Sequence, residues 1–272
     1  MVDFATILRV DDLTKRYGRH AGVAGVSFAV GAGEIVGLLG PNGSGKSTTL
    51  HCLTGILSPT SGIVEIAGVD HERPAAKDGF GFLPDDLPLP ESLRAMEVLA
   101  LHRRLRSRFD RELAEDLLEL VGLADQRQKY VGEYSHGMKR KLQLVIALAH
   151  RPRLLIMDEP MRGLDPEAGI IVNTLLETFR EQGGAALVAT HDLLAAEHYC
   201  DRVVILTNGC VIASGEPADL IGEAGVTTLE ELFIQVTGLE EQMADKRADL
   251  RQINFFESLP HELVGTTSER NR

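Results

Sequence analysis

The sequence predicts an α/β fold, a mostly parallel sheet covered by helices on both faces and carrying a wholly helical insertion. Short apolar runs flanked by Gly or Asp, Ile35–Leu39 and Leu154–Met157, have the texture of strands buried on both faces. From residue 154 onward such runs alternate with helical stretches, as strand–helix–strand units do. Residues 91–150 lack strand texture altogether, which makes them an insertion hanging off the sheet.

Taken in order, Thr6–Leu13 and Val23–Val30 show strand spacing, and Glu34–Leu39 is an apolar strand running into a glycine-rich turn. A helix is expected from Lys46 to about Gly55, with Pro59 beyond it as a stop. Gly62–Ala67 and Gly79–Leu83 read as two more strands. In the insertion, Leu93, Met96, Leu99, Ala100 and Leu105 form one helical stripe, and Leu113, Leu117, Leu118 and Val121 a second. A third helix is expected over Gly137–Ala149. Then follow strand Leu154–Met157, helix Pro166–Glu181, strand Ala185–Thr190, helix Leu193–His198 and strand Val203–Thr207. From about residue 216 the chain reads as helical and acidic, and Leu239, Met243, Lys246, Leu250 and Ile253 form a weak stripe in the last segment.

Composition narrows the function. The chain has 272 residues, 28 Lys and Arg against 40 Asp and Glu, and a net charge of -12, a poor surface for nucleic-acid phosphates. No run approaches the roughly 18 apolar residues that cross a bilayer, so a membrane role has to pass through a partner chain. MVDFATILRV has neither the basic nor the apolar region of a secretory signal. Cys52, Cys200 and Cys210 form no CxxC pair, which fits a reducing cytosol.

The strongest local signal is Gly40-Pro41-Asn42-Gly43-Ser44-Gly45-Lys46-Ser47, placed after a buried strand and before a helix. It matches GxxxxGK[ST], a P-loop. Glycines let backbone N–H groups turn toward a β-phosphate, and the helix terminus adds partial positive charge. Lys46 supplies a cation for the β- and γ-phosphates, Ser47 a hydroxyl for Mg²⁺, and Thr48 another for the α-phosphate. The second signal is Leu154-Leu155-Ile156-Met157-Asp158-Glu159, which delivers two carboxylates to the carboxyl edge of the sheet, where ligands bind in open α/β folds. Asp158 is expected to hold the metal through water, and Glu159 to polarise the attacking water.

Tyr134-Ser135-His136-Gly137-Met138-Lys139-Arg140-Lys141 resembles the signature of ABC ATPases, in the form carried by exporter-type members that serve ABC-2 permeases. The other landmarks fall in the family's order. Tyr17 resembles the aromatic that stacks on adenine, Gly81-Phe82-Leu83-Pro84-Asp85 the Q-loop, Gly163-Leu164-Asp165 the D-loop and His191 the switch histidine. Leu229-Glu230-Glu231-Leu232-Phe233 with Thr237-Gly238 resembles the ending seen in ABC-2 ATPases. Asp85 stands where Gln or Glu is usual, His136 and Met138 replace Gly and Gln, and Met161 and Arg162 depart from the pattern.

The resemblance implies a P-loop NTPase, with a RecA-like core sheet, an antiparallel β-subdomain, an inserted helical subdomain over about 90–150 and a helical tail. The ATPase domain would span 1–238, with 239–272 an acidic extension. It implies ATP and Mg²⁺ as cofactors, with Ser47, Asp85 and Asp158 around the metal and Glu159 and His191 in catalysis. Two subunits, expected to be identical, would face head-to-tail, so that Ser135, His136 and Gly137 of one cap the ATP held by Lys46 of the other. A separate transmembrane permease would hold the chain on the cytoplasmic face of the membrane, with no nucleic-acid partner. A soluble ABC ATPase of the cluster-assembly kind is the rival reading. The Lys139-Arg140-Lys141 run and Arg103, Arg104, Arg106 and Arg108 are expected to be solvated surface.

Overall fold

The computed structural model describes residues 6–18, 20–85, 88–106, 108–240 and 253. Two sheets form its frame. Strands β1 (Thr6–Tyr17), β2 (His20–Gly31), β4 (Ser61–Ile66) and β5 (Val69–Asp70) make an antiparallel sheet in the order β2-β1-β4-β5. The second sheet has the order β10-β9-β3-β8-β7-β6, from β3 (Ile35–Leu39), β6 (Phe80–Leu83), β7 (Leu154–Asp158), β8 (Ala185–Thr190), β9 (Arg202–Thr207) and β10 (Cys210–Gly215). It is parallel except for its edge hairpin β9–β10.

Sequence explains the central strands directly. Every residue of β3, β7 and β8 is buried, because apolar side chains on both strand faces are covered on both sides. One core lies between the two sheets and takes in α1 (Lys46–Thr54), with Leu8, Val26, Leu38, Leu50 and Ile156 fully buried. A second joins the sheet to α3 (Ala95–Leu105), α4 (Arg111–Leu120), α5 (His136–Leu148) and α6 (Pro166–Glu181). Between α1 and α3 the one helix among the described residues is the short α2 (Pro74–Lys77). A third, smaller core packs α7 (Leu193–Tyr199), α8 (Pro217–Ala224) and α9 (Leu229–Thr237) on β9 through Leu229, Leu232, Phe233 and Ile205.

The helices start where capping chemistry allows. Ser135 accepts from Met138 N at 3.2 Å and Asp165 from Ala168 N at 2.8 Å, satisfying first-turn amides of α5 and α6. Gly55 ends α1 in the left-handed conformation that a Cβ disfavours.

Three expectations need correction. The first insertion stripe holds for Leu93, Met96 and Leu99, which pack on the second core, but Leu105 is 69% exposed and Ala100 is exposed, while Ala95 and Val98 are buried in their place. The helix starts only at Ala95, so the buried face is set by its first two turns. Arg140 is not solvated; it is 4% exposed and sits inside the molecule. Arg106 is only half-exposed, its guanidinium donating to Lys77 O. Strand β10 is an addition to the predicted set. Of the weak terminal stripe, Leu239 packs on the third core and Ile253 is exposed, whereas Met243, Lys246 and Leu250 lie outside the described residues.

Candidate functional site

The loop between β3 and α1 is compelled to be glycine-rich. Gly43 and Gly45 have φ of +82° and +107°. A Cβ on Gly45 would come within 2.7 Å of Val23 Cγ1, and one on Gly40 within 2.3 Å of Ser44 Oγ. Lys46 is buried beneath the loop, with Nζ donating to Gly40 O at 2.5 Å and Pro41 O at 3.3 Å. Burial pulls its pKa down, and the charges of Glu159 and Asp158 work against that pull. No side chain caps α1, so its first amides stay available to an anion, and Ser44 Oγ is buried without a hydrogen-bond partner. A cationic amine, open amides and an unpaired buried hydroxyl together fit a polyphosphate.

The carboxyl edge of the sheet faces that loop. In register, Leu39 pairs with Thr190 and Asp158 with Ala189, so the residues that follow β3, β7 and β8 come out side by side. Asp158 is buried, and burial pushes its carboxyl up, while a hydrogen bond from Ser47 pulls it down. Glu159 has φ of +49°, a strained conformation for a residue with a Cβ, and its N–H donates to Ala189 O at 2.8 Å. Its carboxylate accepts from Thr190 Oγ1 at 3.2 Å and meets His191 Nδ1 at 2.7 Å.

These groups open on a cleft of about 720 Å³, lined among others by Asn42–Thr48, Asp85, Asp158, Glu159 and His191. Gly40 and Pro41 do not line it and serve as the carbonyl partners of Lys46. Tyr17 borders the cleft from β1: a Cβ on the lining residue Gly22 would touch both its ring, at 2.7 Å, and Thr48 Cγ2, at 3.2 Å. Among the described residues no three His, Cys, Asp or Glu side chains gather into a metal cage. The oxygen groups at the cleft that could meet a divalent cation are the Ser47 hydroxyl, hydrogen-bonded to Asp158, and the carboxylates of Asp158 and Asp85, one or two carboxylates being what such an ion takes beside water and phosphate.

Sequence reasoning missed several residues here. Asn208 and Gly209 line the cleft from the β9–β10 turn, with φ of +50° and +79°. Gly209 N donates to Ser44 O at 2.9 Å and so braces the loop. The Asn-Gly pair between two apolar runs is the hairpin signal that would have found it. Arg162 also lines the cleft and is ion-paired with Asp85. Arg140, on α5, donates to the carbonyl oxygens of Pro84, Asp158 and Glu159, the last at 2.8 Å.

Ser135, His136 and Gly137 do not line the cleft. They sit at the start of α5, and the His136 ring lies against Gly163, where an added Cβ would stand 2.5 Å from His136 Cδ2. The carboxylate of Asp165 caps α6.

Comparison with known proteins gives the class. Residues 23–162 match the ABC transporter family profile. An uncharacterized ABC transporter ATP-binding protein, YxlF, of Bacillus subtilis (strain 168) is 40% identical over 79% of this chain and 72% of its own. The Nod factor export ATP-binding protein I of Rhizobium etli is 38% identical over 81% and 71%. A solved ATP binding subunit of an ABC transporter superposes with a TM-score of 0.81 at 33% identity, over 85% of this chain and all of that one. The chain belongs to the ABC transporter family. Within it, the chain is an ATP-binding subunit, an ATP hydrolase with the P-loop fold.

Proposed function

We propose that this chain is the motor subunit of an exporter, paired with a separate membrane-spanning permease of the ABC-2 kind and held by it at the cytoplasmic face. The observation that carries the reading is that the start of α5 at Ser135 is not part of the cleft around Lys46. The cleft around Lys46 is built from one set of elements, while the capped terminus of α5 at Ser135 lies off that cleft. One nucleotide needs one cradle, so the second terminus suits the nucleotide of another copy. A head-to-tail pair places Ser135, His136 and Gly137 of each subunit over the ATP of its partner, with Asp165 at the seam. Export is supported by the name of the Rhizobium etli relative, a Nod factor export ATP-binding protein, and no helix of the described residues is long and apolar enough to cross a membrane.

Within each site, Tyr17 stacks on the adenine, Thr48 donates to the α-phosphate, and the Gly43 and Gly45 N–H groups of the Gly40–Gly45 loop, with Lys46, hold the β- and γ-phosphates. Ser47 and Asp158 would hold Mg²⁺, with Asp85 near enough to help, and the ion when bound would offset the charge that develops on the phosphates. Glu159 accepts the proton of the attacking water. His191 fixes the carboxylate through Oε1 and Thr190 through Oε2, so the base is oriented before substrate arrives.

Glu159→Gln with ATP and magnesium is expected to double in mass by light scattering and to stay closed. A protein that stays monomeric, alone and beside its membrane partner, overturns the reading. Dimers mixing Lys46→Ala with Ser135→Arg subunits should keep one working site; total loss counts against head-to-tail pairing.

A further inference from the structure

Arg162 follows Glu159 by three residues, and its N–H donates to Glu159 O at 3.1 Å, which holds its backbone in a tight turn beside the base. Its guanidinium reaches across to Asp85, on the neighbouring segment, and both side chains line the cleft that holds Lys46 and Asp158. The strands that present them are paired, Leu83 beside Met157. Arg162 is 62% exposed at its side chain, so the pair is wet and is exchanged readily for a better partner.

The charges show what that partner is. Asp85, Asp158 and Glu159 bring three carboxylates into the cleft, and Arg162 stands among them as a planar fork of donors that matches phosphate oxygens two at a time. We propose that Arg162 is a triphosphate-recognition residue acting within its own chain: the γ-phosphate replaces Asp85 as its partner, and Asp85 is released toward the metal. The pair is therefore a placeholder, each residue holding the other until ATP and magnesium separate them. ADP, which has no γ-phosphate, leaves it closed. This inference rests on the nucleotide site proposed above.

The test is calorimetric titration of the full chain with ATP and with ADP, in the Glu159→Gln background so that ATP survives. Arg162→Ala is expected to weaken ATP binding by about tenfold or more, the effect of one lost charge-assisted hydrogen bond, with ADP affinity within about twofold. Arg162→Lys should recover part of the loss. Without magnesium, Asp85→Asn should tighten ATP several-fold, and adding Arg162→Ala should erase that gain. Equal weakening of ATP and ADP, or no change in either, overturns the proposal. Lys46→Ala separates the two levels: if it abolishes nucleotide binding while Arg162→Ala changes nothing, only the role of Arg162 falls; if Lys46→Ala still binds normally, the site itself is misplaced.

Discussion

Glu159 Oε1 lies 2.7 Å from His191 Nδ1, and the two residues differ sharply in exposure: the carboxylate side chain is 14% exposed and the imidazole 71%. The acid is held from within by strand ends, and the histidine reaches it from the solvent side. Removing the histidine therefore removes an orienting contact without opening the core. His191→Ala is expected to slow ATP hydrolysis at least tenfold, about 1.4 kcal/mol in barrier, with ATP affinity nearly unchanged. Phosphate release under saturating ATP, set beside the binding isotherm, measures both.

Arg140 satisfies three backbone carbonyls with one buried guanidinium. Arg140→Met keeps the bulk and loses every donor, taking this partner from the carbonyls of Pro84 and Asp158 and leaving Glu159 O only the Arg162 N–H. The expected cost is about 2–4 kcal/mol. Thermal unfolding should show a Tm lower by about 5 °C or more. Arg140→Lys is expected to recover little, because an ammonium has no planar fork to span the three acceptors.

Gly163 has φ of +71°, and any Cβ there meets the His136 ring. Gly163→Ala should destabilise by about 1–3 kcal/mol through strain and overlap together. Shortening the ring in His136→Ala removes the overlap but not the strained φ, so the double variant should regain about 0.5 kcal/mol or more relative to the sum of the singles. Denaturant titration of the four proteins reads the coupling, and strict additivity would count against the contact.

The buried carboxyl of Asp158 sets a pH dependence. Burial raises its pKa above that of the unfolded chain, so the native state holds the proton more tightly. Its contribution is most favourable below the ordinary carboxylate range and declines as pH rises through that range. Asp158→Asn is uncharged throughout. Without nucleotide it should melt about 2 °C or more above the parent near neutral pH, and the gap should close near pH ~3.5. Differential scanning calorimetry across that range decides it.

How far the sequence alone reached depended on the distance over which each feature is specified. The Gly40–Lys46 loop was legible because its geometry forbids side chains at particular positions, and the strand before it and helix after it are consecutive in the chain. The placement of Asp158 and Glu159 at the cleft was legible because a buried parallel strand ending in acid delivers its carboxylates to the carboxyl edge of the sheet. Arg140 was misread because a Lys-Arg-Lys run looks solvated until the helix carrying it is laid on the sheet, where one of the three turns inward. Arg162 could be seen as unusual, but its partner Asp85 lies 77 residues away and only the pairing of β6 with β7 brings them together. The β10 strand was overlooked although Asn208-Gly209 announces it.

The grip of Arg140 has a mechanical meaning. The helical arm that ends in α5 packs its apolar side chains on β6 and β7, and at the strand ends Arg140 adds a polar grip on three carbonyls, those of Pro84, Asp158 and Glu159. A swing of the arm must either turn about that guanidinium, as a lever about its fulcrum, or tear all three bonds at once. The first course would carry the ends of β6 and β7, and with them Asp85, Asp158 and Glu159, along with the helix as one piece.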